Sequence, residues 1–273
     1  MKSGIYDMEF EKYLKMVGMS KSGFTNFAKS PENYQHKLMN PISQNKAMRN
    51  GTLSHAAALE LSRFREDYAV APKVDKRTKI GKAKWQTFVD LNPGKEVITQ
   101  EEHDLAMGIS NAVNRSQKAR KLLREARVEV SVFWDDPEYG FACKARPDAI
   151  NEARGVIIDL KTTNDAVRFN KTILNFKYHW QAAFYLRGMN AVQPGAYTDF
   201  IIIAVETATP YYTNILKLSQ DYITIAEIEM SALFGDYARC LENDAWPGPP
   251  DEINEIEPPE YYRRKFEADN APF

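Results

Sequence analysis

The residues best placed to do chemistry lie in Arg146-Pro-Asp-Ala-Ile-Asn-Glu-Ala-Arg-Gly-Val-Ile-Ile-Asp-Leu-Lys161. A strand sends alternate side chains to one face, so Asp159 and Lys161 project together while Val156, Ile158 and Leu160 project the other way. The run Phe141 to Ile150 is also strand-like, and Asn151 to Gly155 supplies a turn. A hairpin that pairs Ile150 with Gly155 places Asp148 opposite Ile157 and diagonally beside Asp159. Pro147 lacks a ladder donor and is a candidate bulge in the first strand. Two carboxylates this close repel unless a cation sits between them, and hard oxygen ligands suit Mg²⁺ or Mn²⁺. A lysine two residues on can orient a water or stabilise charge on a phosphate oxygen, a combination suited to phosphodiester hydrolysis. The competing reading is a surface hairpin with one Asp-Lys ion pair, and the hairpin alone does not decide between them.

Other elements must bring partners to this hairpin. Asn50 to Ser62 reads as an alanine-rich helix with His55 in its first turns: taken alone it is a packed core or surface histidine, while its small neighbours would let another element approach and leave the imidazole available as a ligand. Val128 to Trp134 alternates, with Val128, Val130 and Val132 on one face and Glu129, Ser131 and Phe133 on the other. Glu129 is therefore either a solvent-facing edge residue or a third carboxylate. Tyr178 to Gly188 suits a helix, preceded by another over Asn164 to Asn175, and Gln181 and Tyr185 are four apart on one face. Core packing accounts for Tyr185 more readily than for a buried Gln181.

Upstream, Ser20 and Ser30-Pro31 read as helix starts, and Thr99 with Glu102 forms a capping box before a stripe of Leu105, Ile109 and Val113. Residues 78–90 and 116–126 read as further helices, and 66–72 and 95–98 as short strands. Thr198 to Glu206 suits a strand buried on both sides, Tyr211 to Leu218 another, and Asp221 to Leu241 a long amphipathic helix. Strands flanked by helices around a central hairpin give an α/β or α+β layered fold. We expect one domain over 1–245, with a helical part to about 125 and a catalytic core over about 126–245. A Pro-rich acidic tail follows over 246–273.

Composition sets outer bounds. The 273 residues, 44% hydrophobic and 27% charged, fit a soluble protein. No apolar run is long enough to span a bilayer and the start has no signal-peptide core, so the expected location is cytoplasmic, without a membrane partner. Cys143 and Cys240 stand alone, which supports neither a zinc site nor a cysteine-ligated iron–sulfur cluster. The net charge of −1 is unevenly spread. Beyond Trp246 there are seven acidic and three basic residues, leaving 33 basic against 30 acidic before it, of 36 and 37 in the chain. Lys73, Lys76, Arg77, Lys79, Lys82 and Lys84 face only Asp75, and Arg115, Lys118, Arg120, Lys121, Arg124 and Arg127 face only Glu125. Such runs are solvated faces or a phosphate track.

Taken together, Gly51-Thr-Leu-Ser-His55, Glu129, Arg146-Pro-Asp148, Asp159-Leu-Lys161-Thr-Thr and Gln181-Ala-Ala-Phe-Tyr185 resemble the PD-(D/E)xK nucleases, and within them the exodeoxyribonuclease VIII (RecE-type) exonucleases of phages and prophages. The likeness runs from about Pro31 to Trp246. It implies a restriction-endonuclease-like core with a central mixed sheet. The implied enzyme is Mg²⁺-dependent, with Mn²⁺ also supporting activity, and degrades linear double-stranded DNA from its 5′ ends to leave 3′ single strands. Asp148, Asp159 and the Leu160 backbone carbonyl would hold metal, with His55 a further ligand and Glu129 a less secure one. Lys161 would position the attacking water, and Gln181 and Tyr185 would support the site. The resemblance also implies a ring-shaped oligomer, often a tetramer, and a single-strand annealing (RecT-type) partner. AddB-type relatives carry four cysteines for an iron–sulfur cluster, and two here favour the cluster-free branch. A restriction-type endonuclease and a non-catalytic DNA-binding module are the alternatives.

Overall fold

The computed structural model describes residues 1–41, 43–253 and 255–270. Helices fill the first part because polar caps recur at the right offsets. After β1 (Gly4–Tyr6) and α1 (Phe10–Lys15), α2 (Lys21–Phe27) starts where Ser20 accepts the Gly23 N–H. Next, α3 (Pro31–Met39) starts on Ser30 with Pro31 in its first turn. Asn45 caps α4 (Lys46–Leu59), so this helix begins earlier than Asn50 and carries His55 well inside it rather than in its first turns. Then come α5 (Leu61–Asp67), β2 (Tyr68–Val70), α6 (Lys79–Leu91) and β3 (Glu96–Ile98). The Thr99/Glu102 capping box opens α7 (Gln100–Arg115), and Ser116 caps α8 (Gln117–Leu123).

The second part holds β4 (Arg127–Val128), β5 (Ser131–Asp135), β6 (Ala142–Ala145), β7 (Ala149–Asn151) and β8 (Val156–Thr163). The helix expected over Asn164 to Asn175 shrinks to a 3₁₀ turn at Phe169–Lys171 and α9 (Thr172–Asn175). Local bonds compete with it: Thr163 Oγ1 accepts the Asp165 N–H and the Asp165 carboxylate accepts the Arg168 N–H. The chain ends through α10 (Tyr178–Val192), β9 (Asp199–Glu206), β10 (Thr213–Lys217), α11 (Gln220–Asn243) and α12 (Glu260–Asp269). The expected acidic tail thus contains a helix, with no buried residue on it.

A five-stranded mixed sheet runs β10-β9-β8-β7-β4, with β8 and β9 parallel. A three-stranded sheet, β1-β5-β6, adjoins it. Strand β8 is central, and Val156 to Leu160 are buried in succession because helices cover both faces. Val156, Ile158 and Leu160 pack with Ile109 and Val113 of α7, while Ile157 joins Phe200, Ile202 and the α10 side chains on the other face. Each such buried aliphatic side chain contributes on the order of 1.5–3 kcal/mol. Against α7 lies α4, where the Ser110 hydroxyl donates to the Ala57 carbonyl at 2.6 Å between small residues, and this close approach aims His55 at β8. Both cysteines are free and buried. Among the described residues no helix is long and apolar enough to cross a membrane.

Candidate active site

The hairpin forms, but in a different register from the expected one. Asn151 pairs with Val156 and Ile150 with Ile157, so residues 152–155 are the connection. Gly155 closes it at φ +62°, in the left-handed region, and therefore belongs to the turn rather than to the strand pair. Asn151 is fixed as a strand residue because its side chain donates to the Leu122 and Arg124 carbonyls. The offset of Ala149 with Ile158, carried one residue on, puts Asp148 directly across from Asp159 rather than diagonal to it.

The expected strand over Val128 to Trp134 is also broken. Glu129 has φ +52°, and the chain passes there from β4 in the large sheet to β5 in the small one. Val128 consequently packs with the α7 face while Val130 and Val132 belong to the α10 face, so the three valines do not share a side. The partner strand breaks at the matching place, between β6 and β7, where Pro147 sits. The ladder keeps one offset through the bend, Val128 with Ala149 and Val132 with Ala145, and the Glu129 N–H donates to the Asp148 carbonyl at 2.9 Å. Glu129, Asp148 and Asp159 thus stand in a row across three strands.

Two linked groups of side chains result. In the first, His55 Nδ1 lies 3.4 Å from Asp148 Oδ1, and His55, Glu129 and Asp148 can each offer a ligand atom within 4.8 Å of the others. In the second, Lys161 Nζ lies 2.7 Å from Asp159 Oδ2 and Gln181 Nε2 donates to Asp159 Oδ1 at 2.6 Å. That charged contact with the Lys161 ammonium is what offsets the burial of Asp159 Oδ2. A backbone link joins the groups: the Leu160 N–H donates to Asp148 Oδ2 at 2.6 Å. Tyr185 stands one turn beyond Gln181 on α10, its ring edge-on to Phe200 at 6.3 Å.

Electrostatics separate the two aspartates. Burial alone would raise Asp148, but His55, Lys161 and the Leu160 N–H outweigh it and hold this carboxyl below its ordinary range. Burial raises Asp159, opposed by Lys161 and reinforced by Asp148. Glu129 is raised by burial and by Asp148. For His55 and Lys161, burial disfavours charge, yet the facing aspartates prevail and raise both. Burial keeps the Tyr185 hydroxyl protonated, well above its usual range. A divalent cation fits this donor set: an imidazole nitrogen and two carboxylates converge, and their mutual repulsion is what a cation would relieve.

Three contributors have no role assigned by the sequence. Arg146, only 8% exposed, donates through Nε to Glu129 Oε2 at 2.9 Å and through Nη1 to Ser131 Oγ and the Met8 carbonyl. The Tyr178 ring lies beneath Lys161, 5.1 Å from its ammonium, and Lys21 arrives over the same ring from α2. Arg146 stands two residues before Asp148, where strand alternation could have flagged it. Lys21 and Tyr178 come together only through tertiary packing.

A family model described as a PDDEXK-like domain of unknown function (DUF3799) matches residues 20–258. The crystal structure of a candidate exonuclease from Eubacterium rectale superposes with a TM-score of 0.61 at 16% identity, covering 98% of this chain and 100% of that one. The structure of SSO0001 is more distant, at TM-score 0.35 and 14% identity over 82% of this chain and 81% of that one. No curated protein matches the sequence.

Proposed function

Since the chain belongs to the PDDEXK-like family DUF3799, we propose that it is a divalent-metal-dependent deoxyribonuclease acting on the ends of linear duplex DNA. The observation that carries this is the row Glu129, Asp148 and Asp159 across three strands, with His55 on one flank and Lys161 on the other. His55, Glu129 and Asp148 would hold a cation, with Asp159 and the Leu160 carbonyl beside it. A cation bound there would polarise the phosphodiester and make a bound water a better nucleophile.

The chain's own groups do the rest. Lys161, kept charged by two aspartates, presents its ammonium to a phosphate oxygen or orients the attacking water. Gln181 fixes the rotamer of Asp159, and Tyr185, held protonated by burial, packs one turn further along the same helix. Arg146 clamps Glu129, so the carboxylate does not swing to solvent. The exposed lysines and arginines around the start of α6 and along α8 supply a track for backbone phosphates.

The finer reading draws on the resemblance to RecE-type exonucleases and on the exonuclease name of the Eubacterium rectale protein. In it, Mg²⁺ is the metal and digestion runs 5′ to 3′. Copies form a ring such as a tetramer, and the 3′ single strands pass to a RecT-type annealing protein in recombination. Digestion of end-labelled linear duplex with Mg²⁺, with Mn²⁺ and with EDTA is the test, alongside a closed circular duplex. Metal-dependent loss of the 5′ label with the circle intact is expected. Cleavage of the circle would replace this reading with an endonuclease, and an inert protein would leave a binding module.

A further inference from the structure

Lys21 stands outside every motif considered above, yet its side chain ends at the reaction centre. It is the first residue of α2, and its ammonium donates to the Phe176 carbonyl at 3.0 Å. It also lies 5.9 Å from the centroid of the Tyr178 ring, the ring that Lys161 approaches to 5.1 Å. Tyr178 is fixed in place, stacked on Phe169 at 5.6 Å and 8° and on Phe176 at 5.7 Å and 19°. A rigid aromatic platform therefore carries two ammonium groups next to Asp159.

The charge balance there is uneven. Lys161 has Asp159 at 2.7 Å, whereas among the described residues no carboxylate lies within ion-pairing distance of Lys21. Burial and repulsion from Lys161 press the Lys21 ammonium down to about 8, with Asp159 giving only partial relief. A fold gains nothing from holding a second partly buried cation against a first; the arrangement makes sense when an anion completes it. The Phe176 carbonyl uses one of three N–H donors, leaving two to face a ligand.

We propose that Lys21 and Lys161, over Tyr178, form a phosphate-binding subsite in which Lys21 holds a backbone phosphate of the DNA strand being cut. The inference rests on the nuclease reading and assigns a substrate contact to that same site. Lys21 is then a binding residue for the phosphate, while Lys161 serves the bond that breaks.

The test is anisotropy of a labelled linear duplex oligonucleotide in EDTA, where nothing is cut, across a NaCl series. Lys21→Gln keeps a donor for the Phe176 carbonyl but loses the charge, and Lys21→Arg keeps both. The Gln variant is expected to bind about tenfold more weakly at low salt and to lower the salt slope by about 0.9, one phosphate contact. The Arg variant should stay near wild type, and in Mg²⁺ digestion the Gln defect should fall mainly on KM. A Gln variant with wild-type affinity and slope overturns the subsite. So does equal weakening of both variants with a lowered Tm, since that marks a packing role. A wild type that neither binds nor digests duplex removes the nuclease reading and the subsite with it, a result distinct from either of these.

Discussion

Asp148 and Asp159 face each other, yet burial weights them differently because Asp148 accepts from a backbone N–H and has the His55 imidazole 3.4 Å away while Asp159 leans on Lys161 and Gln181. Removing one stabilising charge from such a centre typically costs on the order of 10²–10³ in rate. Asp159→Ala or Lys161→Ala should therefore lower kcat for duplex digestion by that factor while far-UV dichroism is unchanged; retained activity in both would remove them from the mechanism. His55 is expected to act through the cation, so His55→Ala should raise the Mg²⁺ concentration needed for half-maximal rate. An unchanged Mg²⁺ titration would return His55 to a packing role. Strand alternation made Asp159, Lys161 and Asp148 readable in the sequence, and four-residue helical spacing did the same for Gln181 and Tyr185. Arg146, though part of the Arg146-Pro-Asp148 run, had no role of its own in the sequence because its value lies in what it touches, a Glu129 carboxylate aimed by an unusual backbone angle.

The elements show why the hairpin could be recognised while its register could not. Apolar runs and turn residues mark strands, but register depends on which turn residue leaves the ladder, and here Gly155 does so at φ +62°. Glu129 poses a similar problem: alternation implied one continuous strand, and a left-handed residue at the bend sent its two ends into different sheets. The consequence at Gly155 is testable. A Cβ there would meet the Ala196 carbonyl oxygen at 2.5 Å, whereas at Gly140, φ +73°, nothing lies within 4 Å. Both alanine variants carry left-handed strain of about 1–2 kcal/mol, but Gly155→Ala must also shift backbone beside the hairpin. Thermal melts should show Gly155→Ala lowered more than Gly140→Ala, at about 2–4 °C per kcal/mol for a chain of this size. Equal melting would mean that the Ala196 contact yields freely.

For the molecule as a whole, the layered α/β fold was legible because helices and strands are strongly patterned, and the placement of the C-terminal segment was not. Trp246 packs against Tyr34 and Tyr237 at 5.7 and 5.9 Å, and the Glu32 N–H donates to the Pro247 carbonyl, so the chain is anchored to that point. Beyond it, α12 buries nothing, with Tyr261, Tyr262 and Phe266 more than half exposed. A chain ending at Pro250 should then keep its stability within about 0.5 kcal/mol, the usual range for surface changes. Its electrostatics change more: without the seven acidic and three basic residues, 33 basic side chains face 30 acidic ones and the net charge turns from −1 to positive. If the tail acts only through that field, the shortened protein binds duplex more tightly at low ionic strength. The gain should fade above about 0.1 M salt, where the Debye length is about 10 Å. Weaker binding at all salt concentrations, together with a smaller mass by light scattering, would instead make the tail part of the interface between copies in the proposed ring.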